Sequence, residues 1–331
     1  MYIQFNRLSM KFTGKKNRTS LNRTKKLSQK EKNDISKQLK PITIEKVHDE
    51  FQKLQNMSCT EIKKCSERKM LGNNVVDYFT FSERLYTKGH QNVSFYEFWK
   101  NRKDFENKPY VKNMLDFYKS RDIDDVRKFK YIYNLYFSSI SIFRPIMAMD
   151  IYCRVNAKRV LDFTMGWGGR LVGACAMKLE AYYGIDLNKH LEVPYKNMIN
   201  TLQKMENVHT TIDLQFKNAL DVDYSVMDYD TVLTSPPYYD LETYRNSSNS
   251  YTTKEKWNHE FYIPLIKKTF ANLKEGGHYC LNIPEEIYTS CAFPTLGKYD
   301  KKMLLKKGDR HIGKYKEYIY IWVKVREPAV P

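Results

Sequence analysis

Two hydrophobic periodicities divide the chain. Between residues 41 and 157 apolar side chains recur at helical spacing, as Ile44, Val47, Phe51 and Leu54 do, and more loosely Phe95, Phe98 and Phe105. Breaks at Gly89-His90 and Asn107-Lys108-Pro109 cut this region into short helices. From Arg159 onward apolar, β-favouring runs alternate with helical stretches, at residues 159–163, 182–185, 212–216, 229–234, 278–283 and 318–325. That alternation predicts a parallel, doubly wound α/β sheet. Residues 254–273 read as one long helix with a kink at Pro264, closed by Gly276-Gly277. Trp257, Phe261 and Leu265 fall at helical spacing and are assigned to the core. There is no internal repeat.

Charge adds a third region. Residues 1–40 carry twelve Lys/Arg against Glu31 and Asp34, a net +10 of the chain's +18. They hold few large apolar residues and no sustained period, so they read as a flexible basic arm suited to phosphates. A solvated leader or an import signal explains the arm nearly as well. The predicted organisation is a basic arm over 1–40, a helical lobe over 41–142 and an α/β domain over 143–331. A field of this sign attracts polyanions, with nucleic acid first and an anionic membrane surface second. No apolar run is long enough to span a bilayer: residues 131–143 come nearest and are broken by Asn134, Ser138, Ser139 and Ser141. A soluble, intracellular protein is therefore expected. The six cysteines show no metal spacing and are read as reduced and structural. His190, His259 and His278 also lack such spacing, so no metal is expected.

The first candidate chemistry lies where the first strand of the α/β region runs into a glycine turn, Asp162-Phe163-Thr164-Met165-Gly166-Trp167-Gly168-Gly169-Arg170. In open α/β sheets ligands bind where strands end and turn into helices. Glycine lets the backbone approach a ligand closely. Asp186 ends the second strand, where a carboxylate can accept both hydroxyls of a ribose. No Gly-Lys-Ser/Thr follows, so the turn is not a phosphate loop; a nucleoside cofactor fits better. Arg170 is read as paired with a local acid, and Trp167 either as a lid or as packing beneath the turn.

The second lies after the fourth strand, at Thr234-Ser235-Pro236-Pro237-Tyr238-Tyr239-Asp240. Two prolines fix an extended backbone and remove two donors, which leaves carbonyls free to accept from a ligand. The exocyclic amine of a base is conjugated with its ring and so is a poor nucleophile. Two acceptors, the Ser235 hydroxyl and a carbonyl at Pro236, could hold its hydrogens and turn its lone pair toward an activated methyl. Tyr238 would then stack on the base, outside its helix. Tyr239, Asp240 and Glu242 are candidates to line the base pocket, although a loop or helix start explains them about as well. The plainer reading of the whole segment is a strand-ending turn with packed aromatics.

Taken together, Asp162, Gly166-Trp167-Gly168-Gly169, Asp186 and Ser235-Pro236-Pro237-Tyr238 resemble the amino-methyltransferases that modify adenine N6 or cytosine N4 in DNA. The similarity is greatest to forms encoded by phages and large DNA viruses, in which a tryptophan sits inside the glycine turn, and it covers roughly residues 140–325. The resemblance implies a Rossmann-like domain that binds S-adenosyl-L-methionine through Phe143, Pro145, Asp162, Thr164, Gly166, Trp167, Gly168, Asp186, Asn218 and Ala219. Ser235, Pro236, Pro237 and Tyr238 would be catalytic. The segment 143–148 would close over the methionine end of the cofactor. The lobe before it would be the recognition element. One departure stands out: the family commonly has an acid after the third strand, where this chain has Asn218, with Asp221 nearby. Serine before Pro-Pro-Tyr leans slightly toward cytosine.

DNA is thus the expected partner, with room for a partner subunit or a homodimer. Two other readings are weighed. An RNA base amine as substrate would call for a dedicated RNA-binding module, and none is recognisable. A non-catalytic subunit on the same scaffold would be signalled by loss of Asp162, Asp186 or the Ser-Pro-Pro-Tyr run, and all are present. Cytosine-C5 chemistry lacks its nucleophilic cysteine after a proline.

Overall fold

The computed structural model describes residues 27–66, 69–89, 92–137, 140–205, 208–239, 243–245, 251–305 and 317–325. Its centre is a seven-stranded sheet of order β3-β2-β1-β4-β5-β7-β6. The strands are β1 Arg159–Asp162, β2 Ala181–Ile185, β3 Thr211–Gln215, β4 Thr231–Thr234, β5 His278–Pro284, β6 Lys301–Leu305 and β7 Glu317–Val323. The first five pair in parallel, and β7 inserts antiparallel between β5 and β6. This is a Rossmann-like, doubly wound α/β sheet, the fold class expected. Strand order reverses between β1 and β4, and their carboxyl ends define the crevice where such sheets bind ligands.

Alternating side chains feed two cores. Val160, Leu233, Cys280, Ile319 and Ile321 face one side of the sheet, while Leu161, Val232, Leu281, Tyr320 and Trp322 face the other. On the second side lies the helix expected over 254–273. It runs as α12 Lys254–Trp257, a π-turn over Asn258–Tyr262, and α13 Ile263–Ala271. Pro264 sits in the first turn of α13, where its missing N–H costs least, and the wide turn before it absorbs the ring.

The helical region precedes the sheet as α1 Gln29–Leu39, α2 Ile44–Gln55, α3 Cys59–Cys65, α4 Asn73–Arg84, α5 Phe95–Lys100, α6 Arg102–Glu106, α7 Pro109–Tyr118, α8 Asp125–Tyr136 and α9 Pro145–Val155. Between strands lie α10 Gly169–Ala176 and α11 Glu192–Lys204. Val47, Phe51 and Leu54 of α2, with Val75 and Val76 of α4, share one core with α9, α10 and the sheet. Phe95, Phe98, Phe129 and Tyr133 build a separate aromatic core with Ile35 of α1.

Two differences from the sequence reading appear here. The last part of the segment read as a flexible arm is α1, started by a reciprocal Ser28–Glu31 capping box and anchored by buried Ile35; residues 1–26 lie outside the described residues. The cysteines are not all reduced: Cys59 of α3 and Cys153 of α9 form a disulfide, because packing brings their Cα atoms to 5.7 Å across 94 residues. No helix among the described residues is long and apolar enough to cross a membrane.

Candidate active site

The glycine turn after β1 is held from below by a closed polar ring. Asp162 is wholly buried, and its carboxylate accepts from Arg170 Nε at 2.6 Å, Tyr182 Oη at 2.6 Å and Thr234 Oγ1 at 2.9 Å. Arg170 also donates to the Thr164 carbonyl at 2.5 Å, and the hydroxyls of Thr164 and Thr234 meet at 2.6 Å. Asp162 raises the affinity of the Arg170 guanidinium for its proton, against the cost of burial, so the pair is ionic. The ring ties the end of β1 to the end of β4. Asp162 is thus engaged by three protein donors beneath the glycine turn, and the local pairing of Arg170 is as read.

The glycines divide by task. A Cβ on Gly169 would strike the Phe143 carbonyl at 1.8 Å, and one on Gly168 would meet Met198 at 2.9 Å. Both are small because protein packs against them. Gly166 has φ +59° and only atoms near 4 Å around a would-be Cβ, so its face is open. Gly166 N–H donates to Asp186 Oδ2 at 2.8 Å, and Asn188 N–H to Oδ1 at 2.8 Å. Each carboxylate oxygen thus keeps a lone pair free, the arrangement needed to accept two vicinal hydroxyls. Desolvation pushes this carboxyl up to about 6, against the two amides, which favour the ionised form.

The remaining cofactor candidates surround that turn. Phe143 is half-buried, with the Arg170 guanidinium 5.2 Å from its ring centre, and Pro145 opens α9. Trp167 is buried, its ring 6.0 Å from that of Tyr244, so it packs between the turn and the loop after β4. Asn218 Oδ1 caps the turn after β3 by accepting from Leu220 N–H at 3.1 Å, which leaves its amide N–H2 as the donor it can offer. Ala219 is buried behind it.

At the end of β4, Pro236 is buried and Ser235, Pro237 and Tyr238 are half-buried. The Pro237 carbonyl accepts from the Tyr262 hydroxyl, whereas no donor reaches the Pro236 carbonyl among the described residues. Asn282 of β5 closes a second ring. Its Nδ2 donates to Ser235 Oγ at 3.0 Å, Ser235 Oγ lies 3.3 Å from Tyr238 Oη, and Tyr238 Oη donates to the Asn282 carbonyl at 3.1 Å. An amide nitrogen only donates and a carbonyl only accepts, so the Ser235 proton points to Tyr238. One Ser235 lone pair then remains for a ligand. Asn282 Oδ1 is buried with no partner. Sequence reasoning missed Asn282; its only signal was a lone amide in the apolar run Tyr279–Ile283.

Residues 146–319, more than half of the chain, match the model of the Eco57I restriction-modification methylase family. The chain belongs to that family. It is a methyltransferase.

The matched span includes β1 to β6 and the start of β7, the glycine turn, Asp186, Ser235–Tyr238 and Asn282. Solved structures are similar to the chain at low identity. They include TrmN from Thermus thermophilus (16% identical, TM-score 0.40, over 55% of this chain and 49% of that one) and an rRNA methylase from Streptococcus thermophilus (16%, 0.37, 56% and 100%). A third is a SAM-dependent O-methyltransferase from Thermotoga maritima (14%, 0.39, 58% and 69%). The chain spans about half the length of the first of these. No curated protein sequence matches it.

Tyr239, a candidate to line a base pocket, packs into the core beside the segment. Its ring is buried against Tyr262, centroids 5.6 Å apart, its hydroxyl donates to Asn258 Oδ1 at 3.1 Å, and its φ is +54°. The positive φ swings the side chain back into the core, where it anchors the segment. Asp240 and Glu242 lie outside the described residues.

Proposed function

We propose that this methyltransferase uses S-adenosylmethionine to methylate the exocyclic amino group of a base in DNA, cytosine N4 or adenine N6. The observation that carries the reading is the pair of spare acceptors at the end of β4, Ser235 Oγ and the Pro236 carbonyl, beside a cradle whose Asp186 keeps two lone pairs. Membership of a restriction-modification family and a net charge of +18 support DNA as the polymer.

S-adenosylmethionine, when bound, supplies an electrophilic sulfonium methyl. Asp186 would hold the ribose hydroxyls, Gly166 would admit the ligand to the backbone, and the Asn218 amide would donate to the adenine edge. Phe143 and Pro145 would border the methionine end, supported from beneath by the Asp162–Arg170 ring. Ser235 Oγ and the Pro236 carbonyl would each take one hydrogen of the target amine. That turns the nitrogen lone pair out of conjugation and toward the methyl, by positioning rather than covalent catalysis. Tyr238, its hydroxyl tethered to Asn282, would offer its ring to an extruded base. The helices before the sheet, expected as a recognition lobe, would meet the duplex around that base.

Asp186 makes cofactor binding dependent on pH. Only the carboxylate accepts two hydroxyls, so affinity for S-adenosylmethionine should fall about tenfold per unit as pH drops below about 6. Folding follows the opposite sign. A carboxyl raised from 3.8 to about 6 withdraws stability from the unliganded protein as pH rises through that window. Calorimetric titration on either side of pH 6 checks this, and Asp186→Asn should flatten the binding profile while weakening binding throughout.

The substrate class is tested by transfer of labelled methyl to double-stranded DNA, single-stranded DNA and RNA. Label in DNA is expected. Label in RNA alone would overturn the DNA reading and keep the amine chemistry.

A further inference from the structure

Away from the strand ends, a cavity of about 390 Å³ opens between α1, α4, α5 and α8. Its lining includes Lys40, Arg84, Arg127 and Lys130, and no carboxylate. Two acids act from behind the wall. Asp77 pairs with Arg84 and, at 3.0 Å, with Lys40, and Asp124 takes Arg127 at 3.0 Å. Four cations against two carboxylates leave a surplus of two positive charges around one concavity. The surplus is located: Arg84 is 8% exposed, and its Nη1 is buried with no partner. The Lys130 ammonium has no carboxylate among the described residues and lies 4.9 and 4.7 Å from the ring centres of Phe95 and Tyr133. A buried guanidinium N–H without an acceptor is costly, and so is an ammonium held beside two like charges. Burial, with Arg84 and Lys40 nearby, pushes Lys130 down to about 7, a direction that an anion in the cavity would reverse.

We infer that this cavity binds a phosphate group, with Lys130 Nζ and the Arg84 guanidinium as its principal donors. A backbone phosphodiester of the polynucleotide substrate is the favoured source, because the cavity wall continues into the target loop. Beyond Arg84 and Thr87, Lys88 and Thr243 exchange backbone hydrogen bonds at 3.0 and 2.8 Å, and Arg245 pairs with Glu83 at 3.0 Å. Thr243 follows Tyr238 by only five residues, so the same loop that leaves the amine pocket is pinned to the rim of the cation cluster. A phosphate seated there would set the distance between backbone and extruded base. This source rests on the nucleic-acid reading above, whereas the phosphate chemistry does not.

The test uses Lys130→Met, which keeps the apolar stem between Phe95 and Tyr133, Lys130→Arg as the conservative variant, and Arg127→Gln at the rim. Melting temperatures without ligand establish that each is folded. Millimolar inorganic phosphate, against chloride at equal ionic strength, should stabilise the wild type and Lys130→Arg but not Lys130→Met. Affinity for a short DNA duplex, read by fluorescence anisotropy, should fall roughly tenfold in Lys130→Met, with a log–log salt slope shallower by about one. Arg127→Gln should weaken the same duplex to a smaller extent. If phosphate stabilises the wild type through Lys130 while duplex affinity is unchanged, the cavity takes a free phosphate ester and the backbone assignment is overturned. The same phosphate result in a protein that binds no polynucleotide would overturn the nucleic-acid reading and leave the site standing. Absence of both Lys130 effects, in a wild type that binds duplex, would overturn the site itself.

Discussion

Asp162→Ala is expected to destabilise the protein by about 3–5 kcal/mol, the cost of leaving a buried charge without its partner. Arg170 is 4% exposed and cannot recover water, while Tyr182 and Thr234 lose their acceptor in the same change. Against a total stability on the order of 5–15 kcal/mol, this removes much of the margin. A fall in melting temperature of roughly 10 °C follows. Cofactor affinity should drop with it, because the ring that shapes the glycine turn is broken. Asp162→Asn keeps one acceptor but not the charge, and should lose a comparable amount. Replacing both members, Asp162→Leu with Arg170→Met, should recover a large share of the stability and none of the affinity. Chemical denaturation of the three variants reads this directly. A stable Asp162→Ala protein with only its cofactor affinity lost would instead make Asp162 a direct ligand.

Ser235→Ala is expected to lower methyl transfer by about 10²–10³, the loss seen when one preorganised polar contact to a reacting group is removed. Affinity for S-adenosylmethionine should stay within twofold, since Ser235 lies on β4's side of the crevice and Asp186 on β2's. Asn282→Ala should show a weaker form of the same pattern. It frees Ser235 Oγ and releases a buried amide whose Oδ1 has no partner, so the hydroxyl remains but is no longer oriented. Single-turnover rates at saturating cofactor separate the chemical step from binding. A Ser235→Ala rate equal to wild type would remove Ser235 from the amine pocket.

Much of this arrangement was legible in the residues, for physical reasons that differ by element. β1, β2, β4 and β5 are short apolar runs bounded by turn residues, a pattern that buried parallel strands share. β6, Lys301–Leu305, was missed because it is an edge strand with two lysines, and edges carry charge to discourage pairing with another chain. α1 was hidden by its Lys and Asn content, since only Ile35 is buried from it. The glycine turn, Asp186 and Ser235–Tyr238 were found because local backbone demands write themselves into local sequence. The contacts of Tyr182 and Thr234 with Asp162, the Asn282 ring, the inward turn of Tyr239 and the Cys59–Cys153 bridge depend on packing between distant segments. No spacing rule carries that information.

The measurement that bears most directly on the amine pocket is the identity of the methylated nucleoside. After reaction with labelled S-adenosylmethionine, the nucleic acid is digested and its nucleosides are resolved by mass and chromatography. The arrangement of Ser235 Oγ and the Pro236 carbonyl predicts N4-methylcytosine or N6-methyladenine, abolished in Ser235→Ala. A methyl on a ring carbon, a ring nitrogen or a ribose hydroxyl would contradict it.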